Sequence, residues 1–169
     1  DKLKAGGSTA GGEGLQLAYR LAESNFNEQA VNRIMLATDG DFNVGLSDPE
    51  QLTDFVERKR QSGIYLSVIG FGRGNYKDAL MQSLAQNGNG IAAYIDTLAE
   101  AQKLFVEEAT SSLFPIATDL KIQVEFNPAV VNEYRLLGYE TRALQEEDFN
   151  NDKVDAGDIG SGHAVTAIY

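Results

Sequence analysis

The sequence contains no cysteine. Disulfide frameworks, thiolate zinc sites and cysteine nucleophiles are therefore excluded, while the compartment stays open, because exported and cytosolic proteins can both lack the residue. The single histidine, His163, leaves little room for imidazole chemistry. Basic residues are scarce: 14 Lys and Arg stand against 25 Asp and Glu, a formal net charge of -11. A nucleic-acid surface needs a basic footprint, and anionic lipid is repelled by the same excess of acid. That balance suits solubility, a cation or a basic partner. No apolar run approaches the roughly 18 residues of a membrane span, and no secretory leader is visible. The chain opens on Asp1 rather than methionine, so the expectation is a piece of a longer precursor, in which any targeting segment would lie outside these residues.

What is present is enough apolar side chain for a core. Hydrophobic residues make up 43% of 169 positions, sufficient for one domain, or for one domain and part of a second. Residues 15–23 carry Leu15, Ala18, Tyr19 and Ala22 on one helical face, after the glycines Gly11, Gly12 and Gly14. Residues 31–37 read as a short apolar strand running into TDGDFNVG, a loop rich in turn formers. Asp48, Pro49 and Gln51 follow as N-cap, first helical residue and reciprocal capping position, with Leu52, Phe55 and Val56 on one side and Gly63 as the stop. Residues 64–71 are almost continuously apolar, the signature of a strand buried on both faces in a parallel sheet. A helix is expected over 76–86, then a break at Asn87-Gly88-Asn89-Gly90, a strand over 91–95, and a Thr97-x-x-Glu100 capping box opening a helix with Leu98, Ala101, Leu104 and Phe105. Aromatic residues on the helices are expected in the core.

Alternating helix and strand define an α/β fold, a doubly wound, mostly parallel sheet. Past Pro115 the pattern changes. Leu120, Ile122, Val124 and Phe126 alternate with Lys121, Gln123 and Glu125, as in a half-buried antiparallel strand. A returning strand over 130–139, an acidic glycine-rich loop over 146–162 and a last strand over 164–169 are expected. The chain thus divides into residues 1–114 and a small antiparallel β extension, residues 115–169, which need not be complete.

In open α/β sheets, ligands gather beyond the carboxyl ends of the strands. Asp39 lies there, and its neighbours Asp41 and Asn43 add hard oxygens suited to Mg²⁺, Mn²⁺ or Ca²⁺. The competing reading is a turn capped by Asp39. Ser8 and Thr9, ahead of the first helix, either hold an anion or metal or cap that helix. Asp39, Asp41, Asn43, Ser47 and Glu50 also fall at calcium-loop spacing, but Val44 stands where that loop needs glycine, and a strand precedes it where a helix belongs. Asp148, Asn150 and Asp152 are a poorer copy, read as a solvated acidic loop. Arg73 either reaches a ligand at the same rim or is surface charge.

GGSTAGGEGL, an apolar strand ending in TDGDFNVG, and VIGFG, in that order, resemble a von Willebrand factor A-type domain over about residues 3–113; the tail resembles the segment that follows this domain in a group of bacterial proteins. The resemblance implies a Rossmann-like fold and a metal-ion-dependent adhesion site for Mg²⁺ or Mn²⁺, with Ca²⁺ as the alternative. Thr9 matches the family's threonine and Asp39 its aspartate; Ser8, Asp41 and Asn43 are their neighbours. The family's Asp-x-Ser-x-Ser loop occurs nowhere in this chain, so the first strands, including the one beside residues 31–37, are expected ahead of Asp1 or from another chain or copy. The resemblance further implies a protein-binding, adhesion-type role in which an acidic side chain of the partner completes the metal's coordination, a periplasmic or cell-surface location, and no enzymatic activity. The alternative is a structural or assembly role without a functional metal.

Overall fold

The structure is a computed structural model that describes residues 11–39, 48–72, 77–107, 115–137, 144–151, 154, 156–162 and 164–169. The chain divides into two compact units, Asp1–Ala109 and Thr110–Tyr169.

In the first unit, helices and strands alternate as the apolar periodicity requires: α1 Gly11–Ser24, β1 Asn32–Thr38, α2 Pro49–Arg60, β2 Ile64–Phe71, α3 Asp78–Asn87, β3 Ala92–Ile95 and α4 Leu98–Gln102. The strands form one parallel sheet in the order β1-β2-β3. Its register sets Ile34 beside Leu66, Leu36 beside Val68 and Thr38 beside Gly70, and then Val68 beside Ala92 and Phe71 beside Ile95. Because side chains alternate along a strand, the even-numbered residues of β2 (Ile64, Leu66, Val68) share one face with Ile34 and Leu36. There they meet Leu15 and Tyr19 of α1, Leu52 and Val56 of α2, and Leu80, Met81 and Leu84 of α3. The opposite face carries Ile69 and Phe71, packed with Ile95, Ala101 and Leu104. Helices on both faces explain why β2 is apolar almost without interruption. Its one buried hydroxyl, Ser67, is satisfied by Arg33, whose Nη1 donates to Ser67 Oγ at 2.8 Å.

The helix ends follow their residues. Asp48 Oδ1 accepts from the Glu50 amide at 3.0 Å, and Pro49 occupies the first turn of α2. Gln51 Nε2 donates to the Asp48 carboxylate rather than to the backbone. Gly63 takes φ 81° after the helix, where a side chain would also press on the Phe26 ring. Asp48→Ala is expected to cost about 1 kcal/mol, read as a lowered urea midpoint with unchanged m-value.

Three differences from the sequence reading have local causes. Gly11, Gly12 and Gly14 lie inside α1, not ahead of it; Gly12 is buried, and the packed face of Leu15 and Tyr19 outweighs the poor propensity of glycine. The last helix passes into a π-helical turn, Lys103–Glu107. The widened turn shifts the side-chain register: Leu104 is buried, whereas Phe105 is 46% exposed, against the core position expected of it; Leu98, which opens α4 ahead of this turn, is 86% exposed, also against expectation.

In the second unit the antiparallel pair is β4, Pro115–Leu120, with β5, Gly157–Gly160. The expected strand over 119–126 gives way to this earlier one, and β5 falls in the stretch read as loop. A residue with positive φ, Asp119, breaks the register between Ala117 and Leu120, as a bulge does. Among the described residues the ladder stops at the Leu120–Gly157 pair. Of the expected strands over 130–139 and 164–169, the described residues retain one bridge, Leu137 to Ile168.

Candidate functional site

The carboxyl ends of β1, β2 and β3 make one rim. Asp39 follows β1 directly and is exposed. Gly72 follows β2 with φ 88°, and a Cβ there would sit 3.9 Å from Asp39 Cβ, so the backbone beyond β2 closes against the aspartate. Tyr94 of β3 donates its hydroxyl hydrogen bond to the Gly72 carbonyl, tying the third strand to the same turn. Asp96, just past β3, is exposed. The parallel register produces this arrangement: Thr38 is level with Gly70, and Gly70 with Tyr94, so the three chains leave the sheet at one height.

Of the residues singled out in the sequence, Asp39 is placed at this rim. Ser8, Thr9, Asp41, Asn43, Ser47, Arg73, Asp152 and His163 lie outside the described residues. Glu50 belongs to the first turn of α2, and a strand leads into Asp39 where a calcium loop of the helix-loop-helix kind needs a helix. Among the described residues no three His, Asp or Glu side chains gather closely enough to hold a metal ion. Asp39 supplies a hard carboxylate oxygen, the donor type Mg²⁺ and Mn²⁺ take. The donor chemistry therefore fits such an ion, with further oxygens required from residues other than those described. Sequence reasoning missed the Gly72–Tyr94 tie. Its only trace is a tyrosine at the end of a short apolar strand, because a bond between strands leaves no local pattern.

A parallel sheet flanked by helices is an α/β frame shared by several families, and comparison with known proteins settles the class. A family model described as von Willebrand factor type A domain matches residues 1–108, and the chain belongs to that family. A second model, described as the C-terminal part of the uncharacterized protein YfbK, matches residues 111–169. Among individual relatives, the uncharacterized protein YfbK of Escherichia coli K12 is 53% identical over all 169 residues, which make up 29% of its length. Inter-alpha-trypsin inhibitor heavy chain H3 of Mesocricetus auratus is 29% identical over 150 residues, covering 82% of this chain and 16% of that protein. The chain thus spans less than a third of the curated relatives it matches. Among solved structures, the conserved hypothetical protein BatB of Bacteroides thetaiotaomicron matches with TM-score 0.49 at 22% identity, over 63% of this chain and 60% of its own. An uncharacterized membrane-spanning protein of Vibrio fischeri matches with TM-score 0.40 at 19% identity, over 63% and 58%. Membership of the von Willebrand factor type A family points to protein interaction as the class of function. No described helix is long and apolar enough to cross a membrane.

Proposed function

We propose that this chain is part of an adhesion-type protein-binding module, and that in the complete protein Thr9 and Asp39 help hold Mg²⁺ or Mn²⁺, with Ca²⁺ as the alternative ion. Ser8, Asp41 and Asn43 are the neighbouring donors in this reading. The observation that carries it is the place of Asp39, at the carboxyl end of β1 with Gly72 closing beside it. A hard cation held there with one open position would take an acidic side chain of a protein partner, and an oxygen-to-cation bond is strong where water is partly excluded. The role in this reading is binding rather than turnover: among the described residues no nucleophile is paired with a base at this rim. A periplasmic or cell-surface location accompanies this proposal, on the family resemblance.

Metal binding to the folded state stabilises it by mass action. At Mg²⁺ about 100-fold above Kd the gain is about 2.7 kcal/mol, so a polypeptide of the relatives' full length should melt several degrees higher in Mg²⁺ than in EDTA. Asp39→Ala should melt at the same temperature in both. Identical melting of the wild type with and without metal would count against the proposal.

A second reading, a structural or assembly role without a functional metal, has its own observation. β1 stands at the margin of the sheet among the described residues, and the Asp-x-Ser-x-Ser loop is absent from the sequence. Strands completing that margin would come from the rest of the polypeptide, another chain or another copy. Light scattering after size exclusion separates the readings: an assembly unchanged by EDTA favours this one, and a metal-dependent change in partner binding favours the first.

A further inference from the structure

The second unit holds an amphipathic stretch, residues 120–126, that forms no sheet past Leu120. Leu120, Ile122, Val124 and Phe126 alternate with Lys121, Gln123 and Glu125, yet the ladder with β5 ends at the Leu120–Gly157 pair. Residues 122–125 engage no hydrogen-bond partner among the described residues. Their apolar side chains lie in water: Ile122 is 73% and Val124 44% exposed. Every buried hydrophobic side chain among the described residues belongs to the first unit, so this ribbon has no core of its own to cover. An unpaired, apolar strand with free backbone groups is a template for another strand.

We propose that residues 120–126 pair antiparallel with the same segment of a second copy of this chain, about a two-fold axis at Gln123. The segment is complementary to itself in that register. Leu120 falls opposite Phe126 and Ile122 opposite Val124, all on one face, while Gln123 faces its own copy on the other. A slip by one residue would set Ile122 against Glu125 and turn apolar side chains toward polar ones; a slip by two keeps the faces matched but loses the Leu120–Phe126 pairs, so the register about Gln123 is the fullest. Each ribbon ends on a cluster of rings: Phe126 lies 4.2 Å from Tyr134 and 5.2 Å from Tyr169, centroid to centroid, giving Leu120 of the other copy an apolar seat. On the other face Lys121 falls opposite Glu125 of the other copy, a pair of opposite charge. The Lys121 ammonium donates to the Asn151 carbonyl at 2.7 Å and lies 3.8 Å from the Asp119 carboxylate. Such a contact uses one patch twice, as two-fold dimers do.

The absence of cysteine makes the test clean. Across a two-fold axis the Cα atoms of residue 123 in the two copies would lie about 4.5–5.5 Å apart, within disulfide reach. Gln123→Cys in the 169-residue chain should therefore cross-link rapidly under diamide, while Glu133→Cys should not. By light scattering the unaltered chain should double its mass as concentration rises. Val124→Lys should abolish the doubling while the first unit keeps its thermal transition, and Met35→Lys, on β1, should leave the doubling in place. A chain that stays monomeric at all concentrations overturns the proposal. So does a dimer that survives Val124→Lys or is lost with Met35→Lys, since either places the contact elsewhere.

Discussion

Gly90→Ala is expected to unfold the first unit or to lower its stability by more than about 3 kcal/mol, beyond the usual cost of an overpacked core. The turn after α3 lies flat on the central strand. The Gly88 carbonyl accepts from the Leu66 amide and the Ile91 carbonyl from the Val68 amide, both at 2.8 Å. Between them a Cβ on residue 90 would stand 1.9 Å from the Leu66 carbonyl oxygen and 2.8 Å from the Ser67 nitrogen. Those neighbours are backbone of the most buried strand and cannot rotate away as a side-chain tip would. Relief requires moving α3 off the sheet, which exposes Leu80, Met81 and Leu84. Far-UV circular dichroism with urea titration checks the outcome; a midpoint shift no larger than that of an ordinary surface substitution would show that the turn does not lie on β2 in this way.

The second large effect concerns Tyr19. Its ring is fully buried and meets Phe55 edge to face, with centroids 5.3 Å apart. Its hydroxyl is buried without a hydrogen-bond partner among the described residues. Tyr19→Ala removes the ring and leaves a cavity between α1, α2 and the sheet, at a cost of about 3–5 kcal/mol. Tyr19→Phe keeps the ring and removes an unsatisfied polar atom, so it should be neutral or stabilising. A Phe variant as damaging as the Ala variant would mean that the hydroxyl has a partner. Burial also drives the phenol pKa upward from its ordinary value. The folded state favours the neutral phenol, so this group is neutral to stability below about pH 10, and stability falls as pH rises above it. Tyr19→Phe should flatten that alkaline limb.

Where structure follows from neighbours in the chain, the sequence was readable. The nearly continuous apolar run of residues 64–71 announced a strand covered on both sides, and Asp48-Pro49 announced a capped helix. Three features lay beyond it. The start of α1 among glycines is decided by packing of Leu15 and Tyr19, which local propensity does not contain. The π-helical turn at Lys103–Glu107 has no composition signal, and it carries Phe105 to the surface. The alternation of residues 120–126 suggests a strand, but none forms past Leu120: strand pairing depends on a partner, and β5 offers one only as far as Gly157. The candidate site divides in the same way. Asp39 was legible as the residue ending an apolar strand, whereas the Gly72 turn and its Tyr94 tie come from three strands brought level by the sheet register.

The proposed cation site meets its most direct test in calorimetric titration of Mn²⁺ into a polypeptide of the relatives' full length, wild type beside Asp39→Ala. Loss of a ligand should weaken binding by about 100-fold or more, since even changing a residue that only hydrogen-bonds to a ligand costs about 10–100-fold, while both proteins melt alike in EDTA. Saturable binding in the wild type that is lost or strongly weakened in Asp39→Ala is the predicted result. Equal affinity in the two would contradict the assignment of Asp39 to a cation site.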